Sequence, residues 1–225
     1  MEQGQRADLI WSAGNVPVSA RFDDPYFSIA DGLAEARHVF LAGNDLPGRF
    51  SPGFRIAELG FGTGLNMLAA LLAWRSAGLP GPLRFTSFEA YPMPVDGMER
   101  ALALFPEARA VAGPLLAAWG RGERRIETDD LVAEIVVGDA RDTLPRWEGR
   151  ADAWFLDGFS PAKNPELWSP ELMAEVAAHT RPGGTAATYT AAGHVRRGLA
   201  AAGFAVERRK GYGRKRHMSV ARAPG

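Results

Sequence analysis

Short apolar runs recur along this chain, each closed by a glycine or a polar residue, and stretches of helical period separate them. Phe54–Leu59, Arg84–Glu89, Leu131–Val137, Ala153–Asp157 and Gly184–Thr190 are mostly apolar and bounded by turn residues, as strands buried on both faces of a parallel sheet are. Between them Leu65–Ser76 is apolar on most faces. Val95–Leu104, Pro170–His179 and His194–Ala202 also have a helical period, the last closed by Gly203 as a C-cap. Strand and helix in alternation predict an open, mostly parallel sheet with helices on both faces. Two more strand-like runs, Phe204–Arg209 and Met218–Ala221, follow one another across a loop with no clear helix between. They predict an antiparallel hairpin at the sheet edge and bring the expected strands of the α/β sheet to seven.

Two regions lie outside that alternation. Residues 1–50 hold turn-rich segments, Asn15–Pro17 and Asp23–Pro25, and one helical stretch around Leu33–Phe40. They are expected to form a cap packed beside the site, with residues 51–225 forming the main domain. The gap from Glu89 to Leu131 is long for one crossover, so an insertion at about 90–130 should carry extra helices and a short strand near Arg125–Thr128. A chain of 225 residues fits one such decorated domain.

The strongest motif is Ile56-Ala-Glu-Leu-Gly-Phe-Gly-Thr-Gly-Leu-Asn66, a strand entering a tight turn and then a helix. Glycines at 60, 62 and 64 let the backbone approach a ligand, and the helix N-terminus offers unpaired N–H groups to a polar or anionic group. The spacing is Gly-x-Gly-x-Gly, neither the dinucleotide Gly-x-Gly-x-x-Gly nor a P-loop. Nucleotide or S-adenosylmethionine binding is favoured over a bare tight turn. Glu58 stands two residues before the first glycine. Glu89 closes the second strand at the position where a carboxylate accepts from a ribose diol. Asp139 ends the third, where it either reaches an adenine amino group or caps the helix that follows. The acids share the carboxyl edge of the sheet, where open α/β sheets bind ligands.

The fourth strand leads into Asp157-Gly-Phe-Ser-Pro-Ala-Lys-Asn-Pro165. This run resembles the methyltransferase family that makes 5-methylaminomethyl-2-thiouridine in tRNA. So do Glu58–Asn66, Thr188-Tyr-Thr-Ala-Ala-Gly193, Lys210-Gly-Tyr-Gly-Arg-Lys-Arg216 and Pro17–Phe27. Tyr212 and His217 depart from the phenylalanine and glutamate expected there. The resemblance implies a class I S-adenosylmethionine-dependent methyltransferase, Rossmann-like, with a C-terminal antiparallel hairpin and an N-terminal cap. It implies S-adenosylmethionine held by Glu58, Gly60, Gly62, Thr63, Gly64, Asn66, Glu89, Asp139 and Asp157. The acceptor is then the primary aminomethyl group of a wobble uridine, with Asp157 as the carboxylate that orients it or takes its proton; a structural turn cap is the alternative. Phe159, Tyr189 and Trp168 are candidates to stack on an unstacked uracil, although ordinary packing serves Trp168 equally well. Lys163 and Asn164 bring polar groups to the loop tip. In many bacteria the activity is half of a bifunctional protein whose other half is a flavin-dependent oxidase. A stand-alone methyltransferase supplied by a separate oxidase is the expectation here.

Charge adds to this picture. The net charge is zero, but residues 191–225 hold nine Arg or Lys against one acid, Glu207. Such asymmetry hints at a polyanion, and Arg196, Arg197, Lys210, Arg214, Lys215 and Arg216 are the candidate phosphate contacts. The chain has no cysteine, which excludes disulfides, thiolate-bound zinc and a cysteine nucleophile, and no metal is expected. No apolar run reaches the length of a membrane span, and the N-terminus lacks the pattern of a secretory signal, so a cytoplasmic protein is expected. Rival readings are a same-fold methyltransferase for a small amine or a protein, a nicotinamide oxidoreductase, and a non-catalytic RNA-binding domain.

Overall fold

The computed structural model describes residues 6–28 and 31–225. Its centre is an eight-stranded sheet. After three short strands, β1 (Leu9–Trp11), β2 (Pro17–Ser19) and β3 (Asp24–Pro25), that form a sheet of their own, its strands are β4 (Arg55–Leu59), β5 (Leu83–Glu89), β6 (Arg125–Glu127), β7 (Leu131–Val137), β8 (Ala151–Leu156), β9 (Thr180–Thr188), β10 (Ala205–Lys210) and β11 (His217–Arg222). They lie in the order β10-β11-β9-β8-β4-β5-β7-β6. The middle of the sheet, β9 to β7, is parallel, and β11 enters antiparallel between β9 and β10. The eighth strand is β6 from the insertion, which pairs antiparallel with β7 and closes the far edge. Counting it apart from the sheet is why the sequence pattern yields seven.

β9 starts at Thr180, four residues before the apolar run. Pro182, Gly183 and Gly184 mask its beginning, where the register shifts from Ala151↔Thr180 to Ala153↔Thr185, a bulge of the kind glycine favours.

Alternation along the strands sends side chains into two cores. Ile56, Phe85 and Phe155 join Met67, Leu68, Leu71 and Trp74 of α2 (Leu65–Ala77) on one face. Leu59, Phe88, Trp154 and Leu156 meet α7 (Pro170–Ala178) and α8 (Gly193–Ala201) on the other. The all-round apolar character of α2 has its cause here. It is covered by the sheet on one side and by α1 (Gly32–Ala36) and α4 (Pro106–Val111) on another. The insertion forms α3 (Val95–Leu102), α4 and α5 (Gly113–Gly120) before β6. Among the described residues no helix is long and apolar enough to cross a membrane.

Before β4, the chain builds a three-stranded antiparallel sheet from β1 (Leu9–Trp11), β2 (Pro17–Ser19) and β3 (Asp24–Pro25). These strands are too short for a hydrophobic period to reveal. Then α1, capped by the Asp31 side chain on Ala34 N–H at 2.9 Å, runs on through a π-helical turn at Arg37–Leu41 and a tighter turn at Ala42–Asn44. Asn44 stitches this segment to the sheet. Fully buried, its amide donates to the carbonyls of Phe40 (2.8 Å) and Trp154 (3.2 Å), and its carbonyl accepts from Thr185 Oγ1 at 2.6 Å.

Asn44→Ala strands those buried partners, and each unpaired buried group is costly. The expected destabilisation is about 2–3 kcal/mol, read in urea as a lower midpoint with an unchanged slope.

Candidate active site

The loop between β4 and α2 sets the site. Gly60, Gly62 and Gly64 have φ of +82°, +54° and +78°, a region where an L side chain is unfavourable. A Cβ on Gly60 would also lie 3.2 Å from the Asp157 carbonyl oxygen and from Gly158 Cα, so the glycine lets the two loops of the crevice run side by side. The first turn of α2 has no side-chain cap, leaving its N–H groups for a ligand. The crevice beside it, about 930 Å³, is lined by Gly60, Gly62, Thr63, Asn66, Glu89, Asp139 and Asp157 among others. The carboxyl ends of β4, β5, β7 and β8 thus contribute to one cavity.

Glu58 differs. It is fully buried and lies beneath the cavity wall, accepting from Ser87 Oγ at 2.6 Å and from Asn66 Nδ2 at 2.9 Å. The other hydrogen of the same Asn66 amide goes to Asp157 Oδ2 at 2.8 Å. A direct cofactor contact by Glu58 is therefore not what the structure presents. Glu58 holds Asn66, and Asn66 holds Asp157. Burial pushes Glu58 well above the usual carboxylate range, against the two hydrogen bonds.

Asp157 sits at the end of β8 with Oδ1 accepting from Gly158 N–H at 2.8 Å. Burial pushes its carboxyl up to about 6; the Gly158 and Asn66 donors and the Lys215 ammonium pull it back, while Glu35 adds to the rise. Glu89 is clamped by backbone, accepting from Gly62 N–H (2.9 Å) and Tyr91 N–H (2.7 Å), and burial raises it too. Those bonds orient a carboxylate that still has lone pairs for a diol. Asp139 accepts from Arg141 N–H at 2.9 Å as the N-cap of α6 (Ala140–Thr143) and pairs with the Arg141 guanidinium at 2.6 Å, which lowers its carboxyl. Cap and cavity wall are thus both true of it.

The cavity wall around the loop after β8 is built largely from residues that spacing did not single out. Phe159 stacks on Phe22 with centroids 4.7 Å apart and meets the Tyr26 ring edge-on at 5.1 Å, so its ring is committed to the wall. Asp24 Oδ2 accepts from Ser160 N–H at 2.8 Å. Lys163 binds the Asp23 carbonyl and faces the carboxylates of Asp23 and Asp24. Lys163 is thus a tether between loop and cap, outside the cavity lining, whereas Asn164 does line it. Trp168 is 2% exposed and donates Nε1–H to Phe159 O at 2.9 Å, so it is core. Tyr189 donates its hydroxyl to Gly158 O at 2.9 Å, meets Trp168 edge-on and carries the Lys215 Nζ 4.2 Å from its ring centroid. One face of the ring expected to stack a base is therefore covered. Burial raises both the Tyr26 and Tyr189 phenols.

The basic segment is the loop of the β10–β11 hairpin. It folds over the mouth, where Tyr212, Gly213, Arg214 and Lys215 line the cavity and Lys215 pairs with Glu35 of α1 at 2.7 Å. Arg216 and Lys210 are exposed outside the lining, and the Lys210 carbonyl accepts from His38 Nε2 at 2.9 Å. Arg196 and Arg197 stand on α8, also outside it; Arg196 Nε–H donates to Ala191 O at 3.4 Å. Of the residues that sequence reasoning missed, Glu35 carried a readable signal. It lies one helical turn from Gly32 and Val39, on an otherwise apolar face, and a lone acid there calls for a buried partner. Phe22, Asp24 and Tyr26 lie in the Pro17–Phe27 stretch, but nothing in the spacing aims them inward.

A doubly flanked parallel sheet with a glycine turn, a ribose-type acid and a closing antiparallel strand is the architecture of class I methyl donors' enzymes. The family model for S-adenosyl-L-methionine-dependent methyltransferases matches residues 106–224, and the chain belongs to that family. The tRNA 5-methylaminomethyl-2-thiouridine biosynthesis bifunctional protein MnmC of Caulobacter sp. strain K31 is 48% identical over all of this chain and 40% of its own length. The protein of that name from Pseudomonas aeruginosa PAO1 is 46% identical over 97% of this chain and 35% of its own. The chain thus spans about two fifths or less of the length of these curated relatives. Among solved structures, MnmC2 from Aquifex aeolicus superposes with a TM-score of 0.73 at 26% identity, over the whole of this chain and 74% of that one. Spermidine synthase from Thermotoga maritima shares the fold alone, with a TM-score of 0.54 at 12% identity. The cofactor is S-adenosylmethionine. The cavity fits it, with glycines where a Cβ would intrude, backbone donors at α2 and a clamped acid at the end of β5.

Gly60→Ala places a methyl against the Asp157–Gly158 backbone at a left-handed φ, a conformation costing about 1–2 kcal/mol in an L residue. S-adenosylmethionine should bind about tenfold or more weakly by titration calorimetry.

Proposed function

We propose that the chain methylates the aminomethyl nitrogen of 5-aminomethyl-(2-thio)uridine at the wobble position of tRNA, giving the 5-methylaminomethyl product. The observation carrying this reading is one cavity with three different borders. The cofactor side is the glycine turn, the floor is the half-buried Asp157, and the mouth is a basic hairpin loop. The names of the curated relatives support the same substrate. In this reading residues 1–50 act as a cap on the acceptor side and residues 51–225 carry the chemistry. The relatives are named bifunctional, so the reaction that unmasks the amine resides either on the same polypeptide or on a separate flavin-dependent oxidase.

S-adenosylmethionine supplies a methyl on a sulfonium. The acceptor nitrogen must be neutral to attack, because its ammonium form has no lone pair. As that lone pair forms the N–CH3 bond, the C–S bond breaks and its electrons return to sulfur. The methylated nitrogen then carries the positive charge and a surplus proton, and Asp157 accepts that proton directly or through water. Most of the acceleration is positioning. Glu58 and Asn66 fix Asp157, while Glu89 and the glycine turn fix the donor side. Phe22, Tyr26 and Phe159 wall the acceptor side. Arg214 at the rim, with Arg216, Lys210, Arg196 and Arg197 around it, supplies phosphate contacts.

Four measurements test this. Labelled methyl transfer to tRNA from a strain lacking the enzyme, followed by nucleoside analysis, should yield 5-methylaminomethyl-uridines; transfer to small amines but not to tRNA rejects the substrate. Asp157→Asn should leave S-adenosylmethionine affinity within about twofold while single-turnover transfer falls by about 10²-fold or more. In the native enzyme that rate needs both the Asp157 carboxylate and a neutral amine. The log rate should therefore climb with slope two below pH about 6 and slope one above it, and the Asn variant should show slope one throughout. Arg214→Ala with Arg216→Ala should reduce the salt slope of tRNA binding by roughly 0.7–0.9 for each phosphate no longer neutralised; an unchanged slope removes the loop from the RNA interface.

A further inference from the structure

Tyr26 belongs to the cap, yet its ring touches the cofactor side of the crevice as well. A Cβ on Gly62 would meet Tyr26 Cδ1 at 3.1 Å and Cε1 at 3.7 Å, so the ring rests on the glycine turn. Gly62 thereby has a second reason to be glycine besides its φ of +54°, because a side chain there would displace the ring. Phe159 meets the same ring edge-on at 5.1 Å. The backbone fixes it in place. Tyr26 N–H donates to Pro17 O at 3.0 Å, and Asp24, two residues earlier, accepts from Ser160 N–H at 2.8 Å.

The hydroxyl at the end of this fixed ring pairs with no other group among the described residues. It is not sealed off either, since the fully buried side-chain donor or acceptor without a partner there is Trp154 Nε1. The hydroxyl is therefore open to the cavity that Tyr26 lines. Glu89 is near enough for its charge to add to burial in raising the phenol.

The bonds of Glu89 show what that end of the cavity lacks. Its two oxygens accept from Gly62 N–H and Tyr91 N–H, which spends the backbone donors beside it. A ribose diol bound there gives its hydrogens to the carboxylate. Each ribose oxygen still has lone pairs, and an ionised carboxylate has no hydrogen to offer them. In a crevice covered by the cap, an oxygen left without a donor forfeits the bonds it made to water. A phenol O–H held against Gly62 supplies the missing donor.

We propose that Tyr26 is a cofactor-binding residue, its hydroxyl donating to a ribose oxygen of S-adenosylmethionine whose own hydrogen goes to Glu89. The cap is then part of the cofactor site and not a cover alone. This concerns the cofactor and is independent of the tRNA substrate proposed above. Tyr91 carries the neighbouring phenol, but its ring is engaged by the Arg21 guanidinium, 4.9 Å from the centroid, and by Phe22 edge-on at 5.7 Å. It serves as the control.

The test is titration calorimetry with S-adenosylhomocysteine, which has the same ribose, and with its 2′-deoxy and 3′-deoxy analogues. The native protein is compared with Tyr26→Phe and Tyr91→Phe. Tyr26→Phe keeps the ring on Gly62 and removes the oxygen. It should weaken S-adenosylhomocysteine about three- to tenfold. Against the deoxy analogue that lacks the bonded hydroxyl it should cost less than about twofold, the coupling expected of a direct contact. Tyr91→Phe should show no such coupling. Unchanged affinity in Tyr26→Phe overturns the proposal. So does an equal loss for the parent and both analogues, or a coupling found with Tyr91→Phe instead.

Discussion

Three carboxyl groups, Glu58, Glu89 and Asp157, are withdrawn from water around one crevice, and the local structure is arranged around their desolvation. An unpartnered buried carboxylate is not tolerated. Each is supplied with donors that cannot move far: the N–H groups of Gly62, Tyr91 and Gly158, the Ser87 hydroxyl, and above all the Asn66 amide shared between Glu58 and Asp157. Because Asn66 sits in the first turn of α2, the position of Asp157 is tied to the same helix whose N-terminus borders the cofactor side. The glycine turn permits this coupling, since a side chain at Gly60 would push the two loops apart.

The cap follows from the same constraint. A crevice at the open edge of a sheet is flooded unless something covers it. Residues 17–27 do so by aromatic contact (Phe22 and Tyr26 on Phe159) and by a polar seam in which Asp24 and Asp23 bind the loop after β8 at Ser160 and Lys163. Asn44 then anchors the end of the cap to β8 and β9.

How much of this was legible depended on whether a residue's environment is set by its near neighbours. The apolar runs of β4, β5, β7 and β8 and the glycine turn are local features, and they specified the order of elements and one lining of the cavity. β1 to β3 were hidden because two- and three-residue strands carry no period, and the start of β9 was hidden by Pro182, Gly183 and Gly184. At the site, residue types were readable and directions were not. Glu58, Lys163 and Trp168 stand in conspicuous motifs yet lie outside the cavity lining, each satisfied by a partner of its own: Asn66, Asp23 and the Phe159 carbonyl. Tyr26 enters it from a segment whose spacing aims nothing inward, and Glu35 announces only that it needs a partner, not which one. Contacts between residues as far apart as Glu35 and Lys215 lie beyond any local rule.

The arrangement of charge around the crevice has a consequence for the direction of reaction. In the transfer the positive charge does not vanish. In the reaction proposed above it migrates from sulfur to the acceptor nitrogen, from the side bordered by Glu89 toward the side bordered by Asp157. An acid fixed on the acceptor side is worth more at the transition state than at the start, because the charge is arriving there. A carboxyl pushed up to about 6 is compatible with the role proposed for it, since it is still ionised at neutral pH. Burial alone would hold the carboxyl in its neutral form, and the donors and cation around it bring it back into the useful range. The depth of the pocket and the hydrogen bonds that line it are therefore two halves of one adjustment.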